Sequence, residues 1–74
     1  MSFASRTALI TGAASGIGAA TAQWLAAQGI AGLVLVDLDA DGMAALELSC
    51  PARTYAGDVA DPALWERIEA EVPK

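Results

Sequence analysis

Apolar positions along the chain switch between two periods. Residues 6–11 set β-branched Thr7, Ile10 and Thr11 around Leu9 and stop at Gly12, which predicts a short buried strand. From Ser15 to Gln28 the period lengthens. Ala19, Ala20, Ala22, Ala26 and Ala27 favour helix, and Ile17, Thr21, Trp24, Leu25 and Gln28 fall on one helical stripe, so a helix is predicted over 15–28 with that stripe as its apolar face. Gly29 suits the position just past its end. Residues 32–36 are aliphatic without polar alternation, the pattern of a parallel strand covered on both faces. A second helix is predicted over 40–48 from the spacing of Met43, Ala44, Leu46 and Leu48, with Asp39 or Asp41 as N-cap and Pro51 marking the exit. Residues 53–56 predict a third strand, ending at Gly57, Asp58 and Val59. Asp61 as N-cap and Pro62 at the first helical position then open a last helix. Its stripe is Leu64, Trp65, Ile68 and Val72, and Pro73 closes it.

The order β-α-β-α-β-α implies right-handed crossovers and three parallel strands in the spatial order 3-2-1, the first half of a doubly wound α/β sheet. In such a sheet the first strand is central, and its free side awaits a fourth strand. Residues 1–74 therefore read as the N-terminal portion of a dinucleotide-binding domain, ending before that strand. Composition agrees with this reading. A chain that is 55% apolar and only 5% aromatic is too apolar for disorder and too poor in rings for a stacking platform. Nine acidic residues against four basic ones, a net charge of −5, argue against nucleic acid or an anionic membrane as partner, so any bound phosphate must be held by backbone dipoles. Cys50 is the single cysteine, and it reads as an inert structural thiol without a neighbouring base. The N-terminus lacks the pattern of a secretory signal and no apolar run reaches membrane-spanning length, so a cytoplasmic protein is expected.

The candidate chemistry lies where the first strand meets the first helix. Thr11-Gly12-Ala13-Ala14-Ser15-Gly16-Ile17-Gly18 leaves the first N–H groups of a helix unpaired at its positive end, an anion site suited to a pyrophosphate. Gly12 serves the tight turn, Gly16 the close approach of the ligand and Gly18 the packing of helix on strand. Asp37 ends the second strand about 20 residues past the last glycine, where an acidic side chain accepts hydrogen bonds from an adenosine ribose. The same carboxylate repels a 2′-phosphate, and neither Ser15 nor Leu38 offers a neutralising cation, so NAD is preferred over NADP. Taken alone, the turn also fits an ordinary strand-to-helix loop, and Asp37 a strand-end acid that caps the next turn.

Thr11-Gly12-x-x-x-Gly16-x-Gly18, Asp37 after the second strand and Asp58-Val59 after the third resemble the N-terminal part of the short-chain dehydrogenases/reductases, with their Rossmann-like fold. The general dinucleotide fingerprint separates its first two glycines by one residue, whereas three separate Gly12 from Gly16, as in this family. The resemblance implies that Ser15 and Ile17 contact the cofactor phosphates through turn and backbone, that Thr11 holds the loop, and that Asp58 hydrogen-bonds the adenine amino group while Val59 packs on its ring. The cofactor-binding set is then Gly12, Ser15, Gly16, Ile17, Gly18, Asp37, Leu38, Asp58 and Val59. Gly-Asp is also simple turn chemistry, which leaves a second reading of Asp58 open.

The resemblance further implies an NAD-dependent oxidoreductase that moves hydride between nicotinamide and an alcohol or carbonyl carbon. Its catalytic Ser, Tyr and Lys fall beyond residue 74. The chain has no Asn and no His, and position 59, four after Tyr55, is Val where the family pattern places Lys. Tyr55 reads instead as a strand residue at a sheet surface, and Trp24 and Trp65 as core anchors. A stand-alone nucleotide-binding module and an α/β fragment without ligand remain alternatives. The expected partners are the dinucleotide and either a second copy, as a homo-oligomer, or the remainder of the fold.

Overall fold

The aliphatic run after Gly32 becomes the middle of a three-stranded sheet. The structure, a computed structural model, describes residues 3–72 as β1 (Thr7–Thr11), α1 (Gly16–Ala27), β2 (Gly32–Asp37), α2 (Ala40–Ala44), β3 (Ala52–Ala56) and α3 (Pro62–Glu71). All strands are parallel, in the order β1-β2-β3, which is the predicted 3-2-1 seen from the other edge. Side chains of a strand alternate between faces, so β2 divides its apolar residues between two layers. Leu33 and Leu35 join Ile10, Ala13, Ala22, Ile30 and Met43 under α1 and α2, with Leu25, Leu46, Leu48 and Cys50 packed around them. Val34 and Val36 join Tyr55, Leu64 and Ile68 under α3, with Trp65 and Val72 at the margin. Asp39 and Asp61 cap α2 and α3 by accepting from the N–H groups of Gly42 and Ala63, and Gly29 follows α1 with φ of 81°.

Four expectations about packing need correction. The inward face of α1 is Gly18, Ala22 and Ala26; of the expected stripe of Ile17, Thr21, Trp24, Leu25 and Gln28 only Leu25 packs on the core, and the others lie about 100° or more round the helix from that face. Gly18 lies against the backbone of Gly12 and Ala13, where a Cβ would collide, and Ile17 is left 85% exposed. Trp24 is consequently no core anchor: it is 55% exposed and meets the edge of Phe3, with ring centroids 6.0 Å apart. Trp65 is half-buried, and its indole N–H donates to the Val59 carbonyl at 2.7 Å.

The second helix stops at Ala44 rather than at residue 48. Leu46, Leu48 and Cys50 alternate with more exposed neighbours and all pack on the same core cluster, a period of two that extended chain satisfies and helix does not. Tyr55 is a strand residue, but α3 covers it. Its hydroxyl donates to Glu71 at 3.2 Å and the Arg67 guanidinium lies over its ring. Pro73, expected to close the last helix, lies outside the described residues.

Among the described residues no strand lies along the outer edge of β1, and Leu9, on the α3 side of the sheet, is 46% exposed. Among the described residues no helix is long and apolar enough to cross a membrane.

The packing of α1 makes a testable distinction. Ala22→Leu is expected to destabilise the chain by about 1–3 kcal/mol through overpacking, whereas Trp24→Ala, at the more exposed and much larger side chain, is expected to cost less. Urea unfolding followed by circular dichroism measures both. A larger loss for the tryptophan change would place the helix in the wrong rotation.

Candidate functional site

The loop between β1 and α1 is held by hydrogen bonds to its backbone groups. Gly12 adopts φ of 68°, a left-handed conformation open to glycine at little cost. Its carbonyl accepts from the Ser15 N–H at 3.0 Å and from the Ser15 hydroxyl at 2.6 Å. Ser15 is the N-cap residue of α1, yet its side chain braces the turn behind it and leaves the helix uncapped. The N–H of Ala19, accepted by Ser15 at 2.7 Å, is the first to be paired in the helical pattern. Among the described residues, the N–H groups of Gly16, Ile17 and Gly18 have no protein acceptor, which leaves an anion-binding cradle at the positive end of α1.

The three glycines differ in what surrounds them. A Cβ on Gly18 would collide with the Gly12 carbonyl, so the helix can lie against the loop only because that position has no side chain. A Cβ on Gly16 would meet nothing within 4 Å, so the space above it is open to a ligand.

Asp37 joins the turns that meet at this end of the sheet. Its carboxylate accepts from the N–H of Ala14 at 3.0 Å through Oδ2 and from that of Asp39 at 2.9 Å through Oδ1, while its main-chain carbonyl accepts from Gly57 at 3.0 Å. The Asp39 N–H first, and then that of Ala14, hold the Asp37 carboxyl below its ordinary range, against an opposing effect of burial. A carboxylate whose pKa is lowered by folding stabilises the fold above its unfolded value, about pH 4. That contribution is lost as pH falls further, through the lowered folded value.

Gly12, Asp37, Leu38, Gly57, Asp58 and Val59 line one cavity of about 200 Å³. Leu38 and Val59 are exposed there, and Asp58 accepts from the Ala60 N–H at 2.8 Å through Oδ1, an Asx-type turn. Ser15, Gly16, Ile17 and Gly18 do not line this cavity; they form the end of the loop and the first helical turn, and Gly16 and Ile17 open onto the outer side of α1 with Trp24. Thr11, expected to hold the loop, ends β1 opposite Val36, and the bracing bonds come from Ser15 and Asp37. Sequence reasoning missed the donor on Ala14, because every non-proline residue carries an N–H and nothing in the letter A distinguishes this one.

A protein-family model described as short chain dehydrogenase matches residues 6–74, and the chain belongs to that family. Solved structures agree with it. An alcohol dehydrogenase from Comamonas testosteroni, specific for bulky-bulky ketones, is 34% identical, with a TM-score of 0.74 over 86% of this chain and 28% of that one. The L-sorbose reductase of Gluconobacter frateurii, solved with NADPH and L-sorbose, is 29% identical, with a TM-score of 0.79 over 97% of this chain and 31% of its own. A 3-oxoacyl-(acyl-carrier-protein) reductase from Agrobacterium tumefaciens, solved with NADP, is 34% identical, with a TM-score of 0.77 over 97% and 31%. This chain thus spans about a third of the length of these enzymes or less. Two of them hold the phosphorylated cofactor, so the preference for NAD expected from Asp37 finds no support in these neighbours.

The two glycine environments predict opposite responses. Gly16→Ala should leave stability within about 0.5 kcal/mol of the parent and weaken dinucleotide binding at least tenfold, because the added methyl meets only the ligand. Gly18→Ala should lower stability as well. Thermal unfolding and calorimetric titration with NAD separate the two, and undiminished binding by Gly16→Ala would count against a phosphate in the cradle.

Proposed function

We propose that this chain binds the adenosine diphosphate half of a nicotinamide dinucleotide, NAD in preference to NADP, as the cofactor-binding segment of an oxidoreductase acting on an alcohol or carbonyl substrate. The observation that carries the reading is the Asp37 carboxylate at the end of β2, set between the glycine-rich loop and the Asp58-Val59 turn in a single cavity. The free N–H groups of Gly16, Ile17 and Gly18 suit a pyrophosphate, the carboxylate suits ribose hydroxyls, and Asp58 and Val59 suit the adenine ring. A 2′-phosphate at the same place would meet the charge of Asp37, with the uncharged Leu38 beside it.

When bound, the nicotinamide supplies the hydride-carrying group. The residues of this chain bind and orient; none takes a catalytic role. Tyr55 is buried under α3 and bonded to Glu71, away from the cavity. The outer edge of β1 and the exposed Leu9 suit a fourth parallel strand, in keeping with a segment of a larger Rossmann domain in which residues 1–74 are the N-terminal portion. A cytoplasmic setting and association with the rest of the fold, or with a second copy, belong to the same proposal.

Calorimetric titration with NAD and NADP tests it. NAD is expected to bind at least about tenfold more tightly, equivalent to about 1.4 kcal/mol, and Leu38→Arg to narrow that gap by favouring NADP. Equal affinities would overturn the NAD preference, and binding of neither cofactor at millimolar concentration to a folded sample would overturn the dinucleotide reading itself.

A further inference from the structure

The ribose-selecting role given to Asp37 uses an acid whose oxygens are already engaged. Oδ2 accepts from the Ala14 N–H at 3.0 Å, and Ala14 stands next to Ser15 and Gly16 in the loop that forms the phosphate cradle. The loop is pressed from a second side at the same residue. A Cβ on Gly42 of α2 would come within 2.9 Å of the Ala14 Cβ and 2.5 Å of an Asp39 carboxylate oxygen, closer than such atoms approach, so α2 abuts Ala14 only because residue 42 is glycine. Asp39 completes the circuit by accepting from the Gly42 N–H at 2.9 Å while donating its own N–H to Asp37.

We propose that Asp37, supported by Gly42, is a positioning residue for the phosphate-binding loop, so that it governs the grip on pyrophosphate independently of any contact with ribose. The inference rests on the dinucleotide reading and deepens it. One carboxylate fixes Ala14 and so the direction of the N–H groups that follow it, and the same carboxylate faces the cavity. Changing the acid to alter cofactor choice therefore also loosens the cradle.

The charged groups on the elements that meet at Asp37 are Asp39, the N-cap of α2, Asp41 in its first turn and Asp58 in the turn after β3, all acidic, while Arg53 of β3 pairs with Val34, three residues back along β2. β1, the glycine-rich loop and α1 contribute none. The acid is thus held ionised by N–H donors alone, and protonation breaks the clasp without a cation to replace it.

The test compares ADP with 2′,3′-dideoxy-ADP, which keeps the pyrophosphate and lacks both ribose hydroxyls, on the parent chain, Asp37→Asn and Gly42→Ala. Asparagine keeps the shape but must turn a donor toward one of the two N–H groups. Both variants are expected to lose affinity for both nucleotides by a similar factor, about five- to tenfold, with circular dichroism unchanged. In the ligand-free parent, the Ala14 amide resonance is expected to follow the carboxyl titration of Asp37 as pH falls below the ordinary carboxylate range.

Should Asp37→Asn lose affinity for ADP and bind the dideoxy analogue as the parent does, the acid acts through ribose alone. The positioning role then fails while the dinucleotide reading stands. Should the parent bind neither nucleotide, the dinucleotide reading fails. The Ala14 amide needs no ligand and no variant, so it decides the loop contact in that case and also where Asp37→Asn does not fold: a resonance indifferent to the titration overturns the clasp.

Discussion

A strand with no polar side has to be covered on both faces, and β2 imposes that requirement on everything around it. Its four central residues are buried, two toward α1 and α2 and two toward α3. The two layers follow from the alternation of a strand, and the direction of the chain follows from having to cross each layer between parallel strands. That direction brings the carboxyl ends of all three strands to one end of the sheet. Asp37, the last residue of β2, is the point where their turns are tied together.

The site is legible in the sequence wherever a position is defined by what it lacks. Gly12, Gly16 and Gly18 can be assigned turn, ligand approach and packing from spacing alone, and the structure gives the first and third a backbone conformation and a backbone contact that require glycine, while the second faces open space. Asp37 could be placed because an acid directly after an aliphatic run is a plain signal. The cap of α3 and the end of α1 are equally readable, since Asp, Pro and Gly have definite tasks at those positions, and for α2 the structure chooses Asp39 over Asp41.

The rotation of α1 was not legible, and the reason is physical. Hydrophobic spacing selects the largest side chains as the inner face, but a helix whose first turn touches the backbone of a neighbouring loop leaves room only for the smallest. Gly18, Ala22 and Ala26 win that contest and Ile17 and Trp24 are displaced outward. The length of α2 is misread for a related reason: Leu46 follows Met43 by three and Leu48 follows Ala44 by four, a helical count, yet Leu46, Leu48 and Cys50 together form a period of two. The preference for NAD was read from the charge of one carboxylate, and it finds no support in related enzymes solved with NADP or NADPH, which have the same fold over nearly the whole of this chain.

The unpaired edge of β1 also has a meaning in time. A ribosome delivers β1 first, and β2, β3 and the helices then complete one side of the sheet. During synthesis the nascent chain therefore holds an ordered strand edge flanked by Leu9, open to edge-to-edge pairing with other nascent chains. The order of elements that builds the glycine-rich loop first leaves that edge bare while β2 and β3 extend the sheet away from it.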